Sequence, residues 1–291
     1  MPFLFGEIYK TYMLLSAYPE YLMSLIDPSF LSILPAYIAL GGITGFAAGL
    51  LGIGGGTILV PGLYYLFKHF GGDTYNQNEL MHMALATSMA IIFPTGLSSS
   101  WAQIKRGAVD WGAVRFMAGG LILGSLLGVL LVSHLSNDVL KIIFAIGLYG
   151  VAATIFFKNE DRAPIALFKD KICFIPFSCV FGIASILLGM GGAVMNVPYL
   201  NRAGYPLKTA IATASVLGVV LSFPAILAYI MTGDSGFGFI DPMVLLIVAP
   251  FSVLVAPLGV RVSHALPVQQ LKIIFSVLMM AVATKMVFEI L

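Results

Sequence analysis

Charge is what this sequence has least of. Fifteen Lys+Arg and 13 Asp+Glu make 28 charged residues in 291, or 10%, against roughly 25% in a soluble domain. So few charges cannot coat a globular surface of this size. That excludes a soluble enzyme, a disordered chain and a nucleic-acid binder. Cysteine is nearly absent as well. Cys173 and Cys179 fall in one apolar segment, six residues apart, on roughly opposite faces of a helix, so packing explains them better than a disulfide. No Cys/His spacing of the metal-binding kind occurs, and neither a metal nor a cofactor is expected. An intramembrane enzyme would need a nucleophile with its base, or metal ligands, at membrane depth. Gly-x-Ser-x-Gly, His-Glu-x-x-His and paired buried carboxylates are all missing. Glu7, Lys10 and Glu20 interrupt the first apolar residues and no charged start precedes them, so no signal peptide is expected.

What is present is apolar: 59% hydrophobic residues, with 31 glycines and a mean hydropathy of +1.00. A membrane helix needs about 20 such residues. Candidate spans lie near 33–51, 80–104, 111–133, 139–157, 172–188, 207–231, 243–263 and 268–290. Two apolar pieces, 57–67 and 193–200, are too short to cross, and each follows a glycine cluster. Residues 1–32 form an N-terminal segment whose Tyr9, Tyr12, Tyr18 and Tyr21 suit an interfacial helix.

The formal net charge of +2 says little until the charges are placed. If each short piece and the helix before it form a hairpin, the loops alternate sides. Lys105, Arg106, Lys158, Arg162, Lys169, Lys171, Arg202, Lys208, Arg261 and Lys272 then share one side. Lys10, Lys68, Lys141 and Lys285 take the other. The positive-inside rule makes the first side cytoplasmic and puts both termini outside.

The chain also repeats itself. Gly52-Ile53-Gly54-Gly55-Gly56-Thr57-Ile58-Leu59-Val60-Pro61 matches Gly189-Met190-Gly191-Gly192-Ala193-Val194-Met195-Asn196-Val197-Pro198 at five of ten positions. Ala86-Thr87-Ser88 answers Ala212-Thr213-Ala214-Ser215, and Gly107 to Asp110 answers Gly238 to Asp241. Val132-Ser133-His134 answers Val262-Ser263-His264, and Leu140 to Phe144 answers Leu271 to Phe275. Order is kept throughout, with offsets between 126 and 137. The expected organisation is an N-terminal segment at 1–32, a transmembrane repeat at 33–157, a cytoplasmic linker at 158–171 and a second repeat at 172–291. Each repeat holds one glycine-broken helical hairpin and three full spans. An odd number of crossings inverts the second copy. The expected fold is therefore an all-α polytopic membrane protein of two inverted repeats, the usual architecture of secondary transporters.

The glycine clusters suggest where a ligand sits. Glycine takes positive φ without penalty and permits a sharp reversal. A helix restarting at membrane depth exposes its first N–H groups, and a helix N-terminus attracts anions. Two such termini at the midplane would bind an anion without a buried Lys or Arg. The candidate site is Gly54, Gly55, Gly56 and Thr57 with Gly191, Gly192, Ala193 and Asn196, the last as an amide donor. The competing reading is close helix packing through small residues. The matched clusters, each followed by a short helix ending in Val-Pro, favour the site. Thr87, Ser88, Thr213 and Ser215 lie in the next span of each copy. Two readings stand for them: coordination of an oxyanion, or a bond back to the carbonyl one turn earlier. Pro94 and Pro224 fall inside those spans, as a hinge or a bend. Asp110, and Asp241 before Pro242, look like helix N-caps. His82, His134 and His264 lie at span ends, where an interfacial histidine is ordinary and proton coupling the alternative. Arg115 is expected to snorkel.

These paired motifs, with Ala-Thr-Ser at 86–88, resemble the TauE/SafE sulfite exporter family from about residue 34 to the C-terminus. The resemblance implies a prokaryotic inner-membrane permease for small sulfur-containing anions such as sulfite and organosulfonates, with the lipid bilayer as its other partner. The second copy departs from the pattern at Ala193 and in its Thr-Ala-Ser, so the two halves of the site are not identical. A passive anion channel, or a transporter of another small organic anion, is the alternative.

Overall fold

The computed structural model describes residues 28–51, 55–70, 75–156, 174–232 and 237–265, with 277, 280, 281 and 283–286 beyond them. Most of the N-terminal segment, Gly54, the linker and most of the expected last span lie outside the described residues. Among those described, every regular element is a helix. In chain order they are α1 (Pro28–Leu51), α2 (Gly56–Phe70), α3 (Leu80–Ile104), α4 (Trp111–His134), α5 (Asn137–Phe156), α6 (Phe174–Leu187), α7 (Ala193–Arg202), α8 (Leu207–Thr232) and α9 (Pro242–Ala265).

Among the described residues, five stretches are long and apolar enough to cross a membrane: Ser32–Leu50, Leu80–Ile104, Trp111–His134, Leu207–Thr232 and Pro242–Ser263. At a rise of ~1.5 Å per residue, α2, α6 and α7 fall short of a hydrocarbon core of ~30 Å. The two short pieces run further than the sequence suggests. Pro61 and Pro198 lie inside α2 and α7 rather than at their ends. Both sit within the second turn, where losing one N–H to a proline leaves a single carbonyl unpaired and does not stop the helix.

α3 and α8 are the most buried spans, and they cross each other at the centre of the bundle. Phe93 and Phe223, each one residue before a mid-helix proline, meet with ring centroids 5.6 Å apart, and Phe223 is exposed. Around this crossing the contacts come in matching pairs. α1 packs on α9 as α6 packs on α4. α3 meets α9 as α8 meets α4, and α2 meets α3 as α7 meets α8.

Small residues make the two outer pairs close. On α1, a Cβ at Gly41, Gly45 or Gly49 would overlap the backbone of Val248, Ser252 or Ala256 on α9. On α4, Gly120 and Gly124 lie against the α6 backbone at Ile175 and Cys179 in the same way. This is packing through small-residue stripes, and it uses glycines outside the two clusters.

The outer faces stay apolar. Leu123, Leu127 and Leu130 on α4, and Leu246 and Leu254 on α9, are exposed, as a lipid-facing surface requires. Basic residues gather at one end of the bundle. Arg106 Nη1, just past α3, donates to the Val260 carbonyl near the end of α9 at 3.3 Å. Asp110 N bonds Thr213 in the second turn of α8. Lys105, Arg106, Arg202, Lys208 and Arg261 therefore share that end.

Candidate functional site

The two glycine clusters fold alike. Gly55 and Gly192 occupy matched positions and both are left-handed, at φ +67° and +75°. Each starts a short helix. The Gly55 carbonyl accepts from Leu59 N at 3.0 Å, and the Gly192 carbonyl from Asn196 N at 3.1 Å. Gly56 and Ala193 are thus the first helical residues of α2 and α7. The backbone N–H groups at the start of each helix have no carbonyl one turn back to bond.

The clusters also meet. A Cβ at Gly56 would overlap the Gly189 carbonyl oxygen and come within 3.0 Å of Met190 Cα. A Cβ at Gly189 would lie 3.3 Å from Ser88 Oγ, and one at Gly218 would lie 2.5 Å from the Gly191 carbonyl. The bend of one half is therefore in backbone contact with the start of the short helix of the other. α3 and α8 close in around it.

Unpaired polar atoms mark one part of this junction. Asn196 is 0% exposed, and neither its Nδ2 nor its Oδ1 has a hydrogen-bond partner. Ser185, in the last turn of α6, is 2% exposed with its Oγ unpaired. Both border Gly192. A Cβ there would sit 3.2 Å from Asn196 Nδ2, 3.7 Å from Leu221 Cδ1 and 3.9 Å from Ser185 Oγ. A buried polar atom without a partner costs about 1–3 kcal/mol, and this pair bears that cost beside Gly192. Sequence reasoning passed over Ser185. Its signal was a hydroxyl residue one turn ahead of the second glycine cluster.

The remaining site candidates separate. Ser88 Oγ donates to Leu85 O at 2.7 Å and Ser215 Oγ to Ile211 O at 3.0 Å, which is the bond back to the preceding turn. Thr87 and Thr213 make a bond that the sequence does not suggest. Their hydroxyl oxygens accept from the backbone N–H of Asp241 and Asp110, each at 3.0 Å. Thr57 is buried beside Gly56. Ala193 begins α7, and Gly54 lies outside the described residues.

The aspartates are N-caps. Asp110 Oδ1 accepts from Ala113 N at 2.7 Å, and Asp241 Oδ1 from Met243 N and Val244 N at 2.9 and 3.0 Å. Asp241 Oδ2 also accepts from the Tyr75 hydroxyl at 2.5 Å. Tyr205, in the loop after α7, has its phenol pKa raised, first by burial and then by the Asp110 carboxylate. His82 Nε2 reaches the Val132 and Leu135 carbonyls, both at 3.1 Å, so its ring ties α3 to the end of α4. His134 Nδ1 lies 2.8 Å from Leu130 O within its own helix and is exposed. The His264 side chain lies outside the described residues. Arg115 is exposed.

Apolar spans around two glycine-started half-helices that touch inside the bundle define a class: a polytopic helical membrane protein with broken helices at its centre. Within that class, the chain belongs to the sulfite exporter TauE/SafE family, whose sequence profile matches residues 37–286. It is similar to a probable membrane transporter protein of Haemophilus influenzae, at 30% identity over 86% of this chain and 96% of that one. A probable membrane transporter protein of Methanocaldococcus jannaschii is 27% identical over 86% and 94%. One from Bacillus subtilis is 23% identical over 87% and 96%. No solved structure matches the chain.

Proposed function

We propose that this chain is a secondary transporter of small sulfur-containing anions, such as sulfite or organosulfonates. It works as two inverted repeats, 33–157 and 172–291. The family and the transporter names of its relatives point this way. The observation that carries the reading is the junction of Gly55–Gly56 with Gly189–Gly192, where two helix N-termini start at matched left-handed glycines beside the unpaired Asn196 and Ser185. Backbone N–H groups and an amide suit an oxyanion, and they need no cation at membrane depth. The matched helix contacts favour the inverted repeat. The clustering of Lys105, Arg106, Arg202, Lys208 and Arg261 at one end favours that end as the cytoplasmic side of a prokaryotic plasma membrane.

The test is flux. The purified chain in proteoliposomes should move sulfite or sulfoacetate with saturable kinetics. Gly192→Leu should abolish that flux while the protein still elutes as a folded species. Absence of saturable flux for every sulfur oxyanion tried would remove the substrate class. Unitary currents far above carrier turnover would make the protein a channel.

A further inference from the structure

Two hydrogen bonds between the halves are copies of each other. Thr87 on α3 holds the backbone N–H of Asp241, and Thr213 on α8 holds that of Asp110, both at 3.0 Å. In each case the threonine belongs to one half and the aspartate to the other. Both threonines are buried, at 0% and 1% exposure. Each aspartate caps the helix that follows it. Tyr75, from the loop after α2, also donates to Asp241. Gly107 and Gly238, each three residues ahead of its aspartate, are left-handed at +64° and +62°. Two separately built junctions thus share one design.

They lie at opposite ends of the bundle. Asp241 meets the N-terminal part of α3, while Asp110 follows the C-terminal end of α3. At ~1.5 Å per residue the junctions are about 25 Å apart along that helix. The glycine junction runs from Leu85 and Ser88, beside Thr87 on α3, to Gly218 and Leu221, past Thr213 on α8.

We propose that these are the two gates of the transport cycle. Thr87 and Asp241, with Tyr75, close one face; Thr213 and Asp110 close the other. Opening toward a face breaks the junction there while the opposite one holds. This structure has both threonine bonds formed, so it is closed at both faces. The chemistry favours a switch over a continuous hinge. A buried N–H must have an acceptor. The aspartate N–H therefore has two acceptable states: bonded to threonine in a dry, closed junction, or bonded to water in an open one. The intermediate, broken but dry, is disfavoured. The threonines act here as positioning residues, not as substrate ligands.

The inference rests on the transporter reading, but its test needs no substrate. The full chain, with Cys173→Ser and Cys179→Ser, would carry Ser185→Cys as a reporter at the central junction. It would be reconstituted in one orientation and labelled with a membrane-impermeant maleimide from either side. Thr87→Val should speed labelling several-fold from the Asp241 face only, and Thr213→Val from the Asp110 face only. Thr87→Ser and Thr213→Ser, which keep the hydroxyl, should label at the unsubstituted rate. A merely structural role would not give opposite sidedness. If either valine variant fails to fold, Thr87→Ala and Thr213→Ala, which also remove the hydroxyl, repeat the comparison with the same expected sidedness. Labelling that rises from the same face in both variants, or from neither, overturns the proposal. Sulfite flux, measured separately, reports on the substrate reading alone.

Discussion

Gly55, Gly56 and Gly192 are required for different reasons, and the difference is testable. Gly192 needs glycine because of its backbone, since a side chain in the left-handed region costs about 1–2 kcal/mol, and Gly55 needs it both for that reason and because a Cβ would lie 2.6 Å from the Thr44 carbonyl oxygen. Gly56 has no such backbone need, and its matched residue in the second half is Ala193. What excludes a side chain at Gly56 is the Gly189 carbonyl lying against it. Gly56→Ala must therefore push the two bends apart, a strain of about 1–3 kcal/mol where backbone cannot yield. Gly55→Ala should lower the thermal midpoint of the detergent-solubilised protein through both its backbone strain and the Thr44 contact. Gly56→Ala should lower it too and should also abolish flux, because it separates the two helix starts. Equal flux in Gly56→Ala and the unsubstituted protein would mean that the contact between the bends is not needed.

Between elements, side chains stitch where backbone cannot. Asn137 accepts from Met81 N at 2.8 Å and donates to Gln77 O at 3.3 Å, tying the start of α3 to the start of α5. His82 joins the same corner through the carbonyls at the end of α4. Asn137→Ala removes both bonds and leaves a buried N–H unpaired, at a cost of about 1–3 kcal/mol. A chemical-denaturation midpoint should fall accordingly, with the effect on α3 visible as faster amide exchange near Met81. The corner also shows what a sequence can and cannot reveal. The caps at Asp110 and Asp241 were legible because a cap and the N–H it accepts from are about three residues apart. So were the helix breaks, because glycine clusters interrupt an apolar pattern locally. The partners of Thr87 and Thr213 were not, since they lie 154 and 103 positions away and no periodicity marks them. The same holds for the small-residue stripes: the glycines are visible, but their target is not. Gly45→Leu should drive α1 off α9 and yield little folded protein by size exclusion, whereas Gly42→Leu, with open space around its Cβ, should not.

At the scale of the whole molecule, the two halves pair their helices alike but do not offer a ligand the same chemistry. At the position matching Asn196 the first half has Leu59, and at the position matching Ser185 it has Ala48. Both replacements are buried and apolar. The first half thus presents a helix start, the Thr57 hydroxyl beside Gly56 and hydrocarbon. The second presents a helix start, an amide and a hydroxyl. An anion between them would find the amide on the second side only, and an organic substituent would find the more apolar side opposite. Making the second half resemble the first tests this. Asn196→Leu with Ser185→Ala should leave the fold intact, because it removes unpaired polar atoms instead of creating them. It should also raise the KM for sulfite by about tenfold or more, the loss of roughly one hydrogen bond to a charged group. A substituted sulfonate, held in part by its carbon end, should lose less. If the double variant transports both anions with unchanged KM, the polar pair beside Gly192 serves a buried water, and the anion is held by the backbone of the two helix starts alone.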